Sequence, residues 1–221
     1  MFQVKFVHAT PKGDELISRM ARVSNPSNED NYETAPKLIS YLINHKHWSP
    51  FEMATMCVEI HTTRSIASQL LRHKSMFFQE FSQRYANTAE LGEPAVPHLR
   101  GQDKKNRQNS IDDLDTRIGA AKLSGYYRRI SSLFDDAVHL YQEMVSDGVA
   151  KECAREVLPL ATPTRLYMHG TVRSWIHYCD LRMANGTQYE HQIIAKSCFK
   201  HLKDAFPMVA AAYELSLRPR D

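Results

Sequence analysis

From Gln69 to Tyr85 the chain reads Gln-Leu-Leu-Arg-His-Lys-Ser-Met-Phe-Phe-Gln-Glu-Phe-Ser-Gln-Arg-Tyr. Three cations, Arg72, Lys74 and Arg84, stand there beside His73, Glu80 and Ser82, with Phe81 and Gln83 between them. Arginine forks and hydroxyls hold phosphate by charge-assisted hydrogen bonds, and a helix that gives way to a loop lets successive side chains converge on one anion. The competing reading is a solvated basic helix end, which the helix dipole favours as well. On a helix Gln69 and Arg72, three apart, share a face.

Two further tracts carry titratable groups at suggestive spacing. In His45-Lys-His47-Trp-Ser49-Pro50-Phe-Glu52, Ser49 and Glu52 match a capping box with proline at the first helical position. The two histidines with Glu52 lack a third ligand at zinc spacing, so no metal is expected. Downstream stand Arg155, Arg165, Thr171, Arg173, His177, Arg182, Gln188 and Glu190. At 100° per residue Arg173 and His177 lie on one face, and Arg182 lies about 180° from Arg173, so one helix cannot aim all three at one pocket. Arg182 then faces a different site, shared with another subunit, or plain solvent. Thr187 and Glu190 match a second capping box. The chain has no Gly-x-Ser-x-Gly elbow, and eight glycines write neither a dinucleotide fingerprint nor a Walker loop. A nucleotide has to be bound by side chains and helix ends.

The elements that position these groups follow from periodicity. Phe2, Val4 and Phe6 alternate with Gln3 and Lys5, predicting a strand over 2–8 with one buried face. Thr10-Pro11 opens a short helix that ends before Asn25-Pro26, and a second helix covers 35–44. Alternation predicts a strand over 53–60, and a change of period predicts a helix over 63–73 that delivers Arg72 and His73 at its end. The segment 101–117 holds eight charges and only Ile111 and Leu114 as bulky apolar residues, so it reads as an exposed loop or insertion within about 90–120. A long amphipathic helix passes through Ile130, Leu133, Phe134, Ala137, Leu140, Tyr141 and Met144 and stops near Asp147-Gly148. Short and long helices follow over 151–157, 172–183 and 187–201. Strands embedded among six or so helices make an α+β domain of helical majority, one domain over 1–221.

Composition sets the outer bounds. The 221 residues include 43% hydrophobic and 24% charged side chains with net charge +3, ordinary globular usage that permits an anionic substrate without demanding nucleic acid. Cysteines 57, 153, 179 and 198 form neither a Cys-x-x-Cys pair nor a secreted framework. No segment nears 18 apolar residues and no signal sequence is evident, so a cytoplasmic protein off the membrane is expected.

Taken together the motifs resemble those of the flavin-dependent thymidylate synthases, whose signature is Arg-His-Arg, seven residues, Ser, one residue, Arg. Here it stands as Arg72-His73-Lys74, seven residues, Ser82-Gln83-Arg84. The likeness extends in order through Ala21-Arg22-Val23-Ser24, His47-Trp-Ser49-Pro50-Phe51-Glu52 and Gln69, then Ala154-Arg155, Leu158-Pro159-Leu160, Arg173-Ser174, Arg182, Gln188 and Glu190. It lapses over about 90–120. The resemblance implies a helix-rich α+β fold with a central, mainly antiparallel sheet, assembled as a homotetramer with sites between subunits. It also implies methylation of dUMP to dTMP, with carbon from 5,10-methylenetetrahydrofolate and hydride from NADPH through FAD. Carried over by position, dUMP contacts are Gln69, Arg72, Glu80, Phe81, Ser82, Gln83, Arg84, Arg155 and Arg182, the last as electrostatic activator of the pyrimidine. FAD contacts are His47, Ser49, Glu52, Arg72, His73, Lys74, Glu80, Thr171, Arg173 and His177. The chain departs from the family at Lys74, where arginine is usual, at Met53, usually histidine, and at Thr171 and His177, often asparagine. Two other readings stay open. One is a flavoprotein of this fold without methyl transfer; the other is a module binding single-stranded nucleic acid through Arg72, Lys74, Arg84, Phe77, Phe78 and Tyr85.

Overall fold

A computed structural model describes residues 2–217. In chain order the elements are β1 (Gln3–Ala9), α1 (Gly13–Ala21), α2 (Ala35–Asn44), β2 (Thr55–Thr63), α3 (Arg64–Leu70), β3 (Phe77–Glu80), β4 (Gly101–Gln102), β5 (Ser110–Ile111), α4 (Leu114–Ile118), α5 (Ala120–Ser146), α6 (Lys151–Ala154), β6 (Pro163–Thr171), α7 (Val172–Met183), α8 (Tyr189–Ala205) and α9 (Pro207–Ser216). Four strands form one antiparallel sheet in the order β1-β2-β6-β3, and β4 and β5 pair as a separate ribbon. The fold is the helix-rich α+β domain with an antiparallel sheet that the sequence implies.

One face of the sheet makes the core. Met56, Val58 and Ile60 of β2 and Leu166 and Met168 of β6 are buried with Trp175, Ile176 and Cys179 of α7 and Ile194, Cys198 and Leu202 of α8. Trp175 is fully buried and donates its indole N–H to the Met56 carbonyl at 2.9 Å, which fixes α7 across the strand it covers. At the far edge Phe206 lies so close to the start of α1 that a side chain at Gly13 would meet its ring at 2.1 Å. The Asp14 carboxylate accepts from the Met208 and Val209 N–H groups at 2.8 and 3.2 Å, satisfying orphan donors at the start of α9.

Several boundaries and faces differ from the expectation. Helix α1 starts at Gly13 behind Lys12 in a left-handed conformation (φ 51°), so Thr10-Pro11 is a lead-in and not its cap. Phe6 is 48% exposed, since β1 is an edge strand and a register shift between Phe6 and His8 interrupts its pairing with β2. The expected last helix, 187–201, is α8, which runs on to Ala205; past it a further helix not expected from the sequence, α9, starts at Pro207, which cannot continue α8. The segment read as a bare loop contains the β4–β5 ribbon and α4, and Arg100 fastens it to the domain.

Candidate active site

Helix α3 stops at Leu70, three residues before the predicted end, and tightens into a turn in which Arg72 N–H bonds the Gln69 carbonyl and His73 N–H the Leu70 carbonyl. The turn sends four nearby side chains different ways. Gln69 donates its amide to Gln188 Oε1 at 2.7 Å, and its carbonyl faces His191 Nδ1 at 3.3 Å. The side chains of Arg72 and Lys74 are exposed, with no hydrogen bond or ion pair among the described residues. His73 is drawn inward, edge-on to Tyr178 with ring centroids 4.9 Å apart.

His73 meets Arg182. The Arg182 Nε–H donates to His73 Nε2 at 2.9 Å, so this nitrogen carries no proton and the imidazole is neutral. Burial, with Arg182 beside it, pushes the His73 pKa down to about 4. His191, wholly buried with Nε2 unpartnered, is pushed down to about 3 by burial, then by Arg182 and His73. Both side chains take up protons near 6.5 in an unfolded chain. Between that pH and their folded values the unfolded state binds more protons, so stability is whole above about 6.5 and drains as pH falls. We expect the urea midpoint to decline steadily from pH 7 to pH 4.5, and His191→Asn, which keeps a donor for Gln69, to flatten that decline. An unchanged slope in the variant would remove His191 as its cause.

The second part of the site follows β3. Glu80 is ion-paired to Arg64 and accepts from Thr164 Oγ1 at 2.9 Å. Phe81 N–H bonds the Arg165 carbonyl at 2.8 Å, and the next turn presents Ser82, buried Gln83 and exposed Arg84. A cleft of about 320 Å³ lies between Arg64, Gln83, Arg155, Pro159 and Thr162. The Gln83 amide nitrogen is buried without a partner among the described residues. Two guanidinium groups and an unanswered N–H suit an anion with several acceptor oxygens. Arg84 pairs with Glu152 at 3.1 Å and Arg155 with Glu156 at 3.4 Å, both at the surface where a ligand can displace a carboxylate.

The third part lies at the start of α7. Ser49–Glu52 is a single 3-10 turn with no side-chain cap, and Glu52 is ion-paired to Arg173. A charged partner from another part of the chain, Arg173 of α7, overrides the capping box, and Arg100 just before β4 does the same at Glu190. There α8 begins at Tyr189 without a side-chain cap, Thr187 donates to the Leu181 carbonyl, and Glu190 takes Arg100. His177 stacks edge-on to Trp48 at 4.6 Å, and burial and Arg173 lower its pKa. His47 lies near Tyr41 and His45. The Thr171 hydroxyl caps α7 by accepting from Ser174 N–H at 3.2 Å.

The expected flavin residues therefore fall into two groups. His47, Ser49, Glu52, Thr171, Arg173 and His177 lie where β6 runs into α7; Arg72, His73, Lys74 and Glu80 belong to the turn and strand β3, which pass from Met76 against Gly170 to Glu80 against Thr164. Thr171 and Thr164, the latter bonded to Glu80, are seven strand positions apart on β6, ~23 Å at the usual rise. Arg173 and Arg182 go to different partners, as their helical angle requires. Arg64, Arg100, Tyr178 and His191 were not singled out from the sequence, because each acts through a partner far away in the chain.

Residues 5–208 match the family described as thymidylate synthase complementing protein. A probable flavin-dependent thymidylate synthase of Paramecium bursaria Chlorella virus 1 is 46% identical over 208 residues, 94% of each chain. A flavin-dependent thymidylate synthase of Synechocystis sp. is 46% identical over 205 residues, 93% of this chain and 90% of that one. Among solved structures, a UMP/dUMP methylase of Streptomyces cacaoi bound with 5-Br dUMP superposes with a TM-score of 0.80 at 24% identity, covering 99% and 98% of the two chains. That likeness carries the fold.

Proposed function

Since the chain belongs to the thymidylate synthase complementing protein family, the flavin-dependent thymidylate synthases, we propose that the groups at the two ends of its sheet are halves of active sites shared between copies of the chain. The enzyme makes dTMP from dUMP, taking its carbon from 5,10-methylenetetrahydrofolate and its hydride from NADPH through FAD. When bound, the flavin supplies the hydride transfer.

The observation that carries the residue assignment is Arg182. It is half-buried, bonded to a neutral imidazole, and without a carboxylate partner among the described residues. Its charge is uncompensated among the described residues, and His73 fixes its Nε so that the remaining guanidinium N–H groups stay directed at a ligand. Placed against the uracil ring, that charge stabilises negative charge developing on the pyrimidine and raises the nucleophilicity of C5. Ser82 has no hydrogen bond to a base among the described residues, and it contacts dUMP without attacking it. Arg155 and Gln83 hold the phosphate in their cleft, with Arg72 and Arg84 reaching it from the turn; Glu80 and Phe81 line the nucleotide.

The residues present fit a flavin dinucleotide. Arg72 and Lys74, exposed and without a partner among the described residues, are two cations for its phosphates. Lys74 keeps the charge that arginine supplies in the family while giving up the planar fork. His47, Ser49, Glu52, Arg173 and a neutral His177 offer donors and acceptors from a neighbouring copy; Thr171 keeps its hydroxyl on the helix cap.

The surfaces left open support assembly as a homotetramer. Helix α5 buries Tyr141 alone, while Leu133 and Leu140 on its apolar stripe are 63% and 45% exposed. Phe77 on the outer face of β3 is 71% exposed. Such uncovered apolar surface suits contact with further copies. The four cysteines are unpaired and three are buried, which supports a reducing, cytoplasmic setting for one domain over 1–221; among the described residues no helix is long and apolar enough to cross a membrane.

The test is an anaerobic assay of the purified protein with FAD, NADPH, dUMP and methylenetetrahydrofolate, with mass measured in solution. Reduction of bound flavin, dTMP formation and a tetramer are expected. Reducible flavin without dTMP would place the chain with flavoproteins of this fold that do other chemistry, and an active monomer would sink the shared site.

A further inference from the structure

Arg100 lies in the stretch where the family likeness lapses, yet its side chain is among the best-held charges of the chain. It and Glu190 are 12% and 13% exposed, paired through two N–H groups at 2.7 and 3.0 Å. Its Nε donates to Ser110 Oγ on β5 at 2.8 Å, and its guanidinium lies over the Tyr189 ring at 5.3 Å. The β4–β5 ribbon is thus fastened to the first turn of α8.

From Glu190 a chain of hydrogen bonds runs to Gln69, and its direction is dictated from the charged end. An ionised carboxylate only accepts, and Arg100 holds Glu190 in that form. The carboxamide of Gln188, 2.9 Å from Glu190 Oε2, must therefore turn its NH₂ to it. Its oxygen is left facing Gln69 at 2.7 Å, so Gln69 must donate in turn. The Gln69 carbonyl then faces His191 Nδ1, which carries the proton, consistent with a neutral ring whose Nε2 has no partner. A flip of either amide would set oxygen against oxygen, or NH₂ against a donor, at hydrogen-bond distance. With this polarity Gln69 has one amide hydrogen engaged and one left to give.

We infer that Arg100 is a positioning residue which, through Glu190 and Gln188, makes the Gln69 carboxamide present an N–H donor to an acceptor oxygen of dUMP. The inference rests on the proposal that Gln69 contacts dUMP. It gives the β4–β5 ribbon a part in the established reaction: the ribbon sets the orientation of a substrate contact it does not touch.

A double-mutant cycle on the flavin-loaded enzyme tests this. Gln69→Ala is expected to raise KM for dUMP about 10-fold, the worth of one hydrogen bond, with kcat within about 2-fold. Arg100→Ala should do nearly the same, and the double variant should be no worse than Gln69→Ala, because residues acting through one contact are not additive. Arg100→Lys, which can still donate to Glu190, should recover most of the KM. Independent, multiplying effects in the double variant would overturn the inference, as would a normal KM for Arg100→Ala where Gln69→Ala is impaired. If Gln69→Ala itself leaves KM unchanged, the dUMP assignment of Gln69 is what fails. Should Arg100→Ala not fold, Glu190→Gln reads the same chain: a neutral amide there no longer dictates the orientation of Gln188, and KM should rise by the same factor or the inference falls.

Discussion

Arg182→Ala should keep its flavin absorbance and lose about 10²–10³-fold in dTMP turnover, the usual effect of removing one preorganised group from a site of developing charge. Arg182 lies in the last turn of α7 with its Nε on His73 and, among the described residues, no carboxylate to neutralise it. Deleting it takes away the charge assigned to the pyrimidine while leaving the Glu52–Arg173 end of the same helix in place. The variant carries a second signature in His73. Burial and Arg182 together hold the His73 pKa at about 4, with burial the larger cause. Without the guanidinium the imidazole should titrate at a higher pH, still below 6.5 because burial persists; proton NMR of the His73 ring reads it. Full turnover in the variant would end the assignment of Arg182, and loss of flavin along with turnover would move Arg182 to the flavin side of the site.

How far the site was readable depends on whether partners are neighbours in the chain. The tract from Gln69 to Arg84 declared itself by residue type, and the structure does lay it along one turn and one short strand. The opposite aims of Arg173 and Arg182 followed from helical angle alone and are seen in their partners, Glu52 and His73. Both capping boxes failed for one reason. The local pattern at Ser49–Glu52 and Thr187–Glu190 is sound, but a guanidinium arriving from Arg173 or Arg100 offers each carboxylate a charged donor that a backbone N–H cannot match. Strand β6 had a legible alternation, with Thr164, Leu166 and Met168 inward and Arg165, Tyr167 and His169 less buried, but Pro163 and the neighbouring Pro159 hid it as a break. Strand β3, at four residues, is too short to show a period. Arg100 and Glu190 are ninety positions apart, and nothing local to either predicts their pairing.

The same helix that divides the site also bears the largest fully buried side chain of the described residues. Trp175 is fully buried, meets Tyr178 edge-on with centroids 5.8 Å apart, and bonds the Met56 carbonyl across the interface of α7 with β2. Trp175→Ala removes a large buried side chain and leaves a cavity that close-packed neighbours only partly fill, a loss of about 3–5 kcal/mol. Against a typical total of about 5–15 kcal/mol, that leaves a protein near its unfolding threshold at moderate urea. Trp175→Phe keeps much of the packing, giving up part of the ring volume together with the donor to the Met56 carbonyl, so its cost should be about 1–3 kcal/mol. Urea unfolding of the three proteins decides the matter. A Phe variant as unstable as the Ala variant would show that the hydrogen bond to Met56, and not packing, is what holds α7 on the sheet. With packing dominant, the Phe variant should also keep both ends of α7 in register, binding flavin and turning over dUMP at near the normal rate below its unfolding transition.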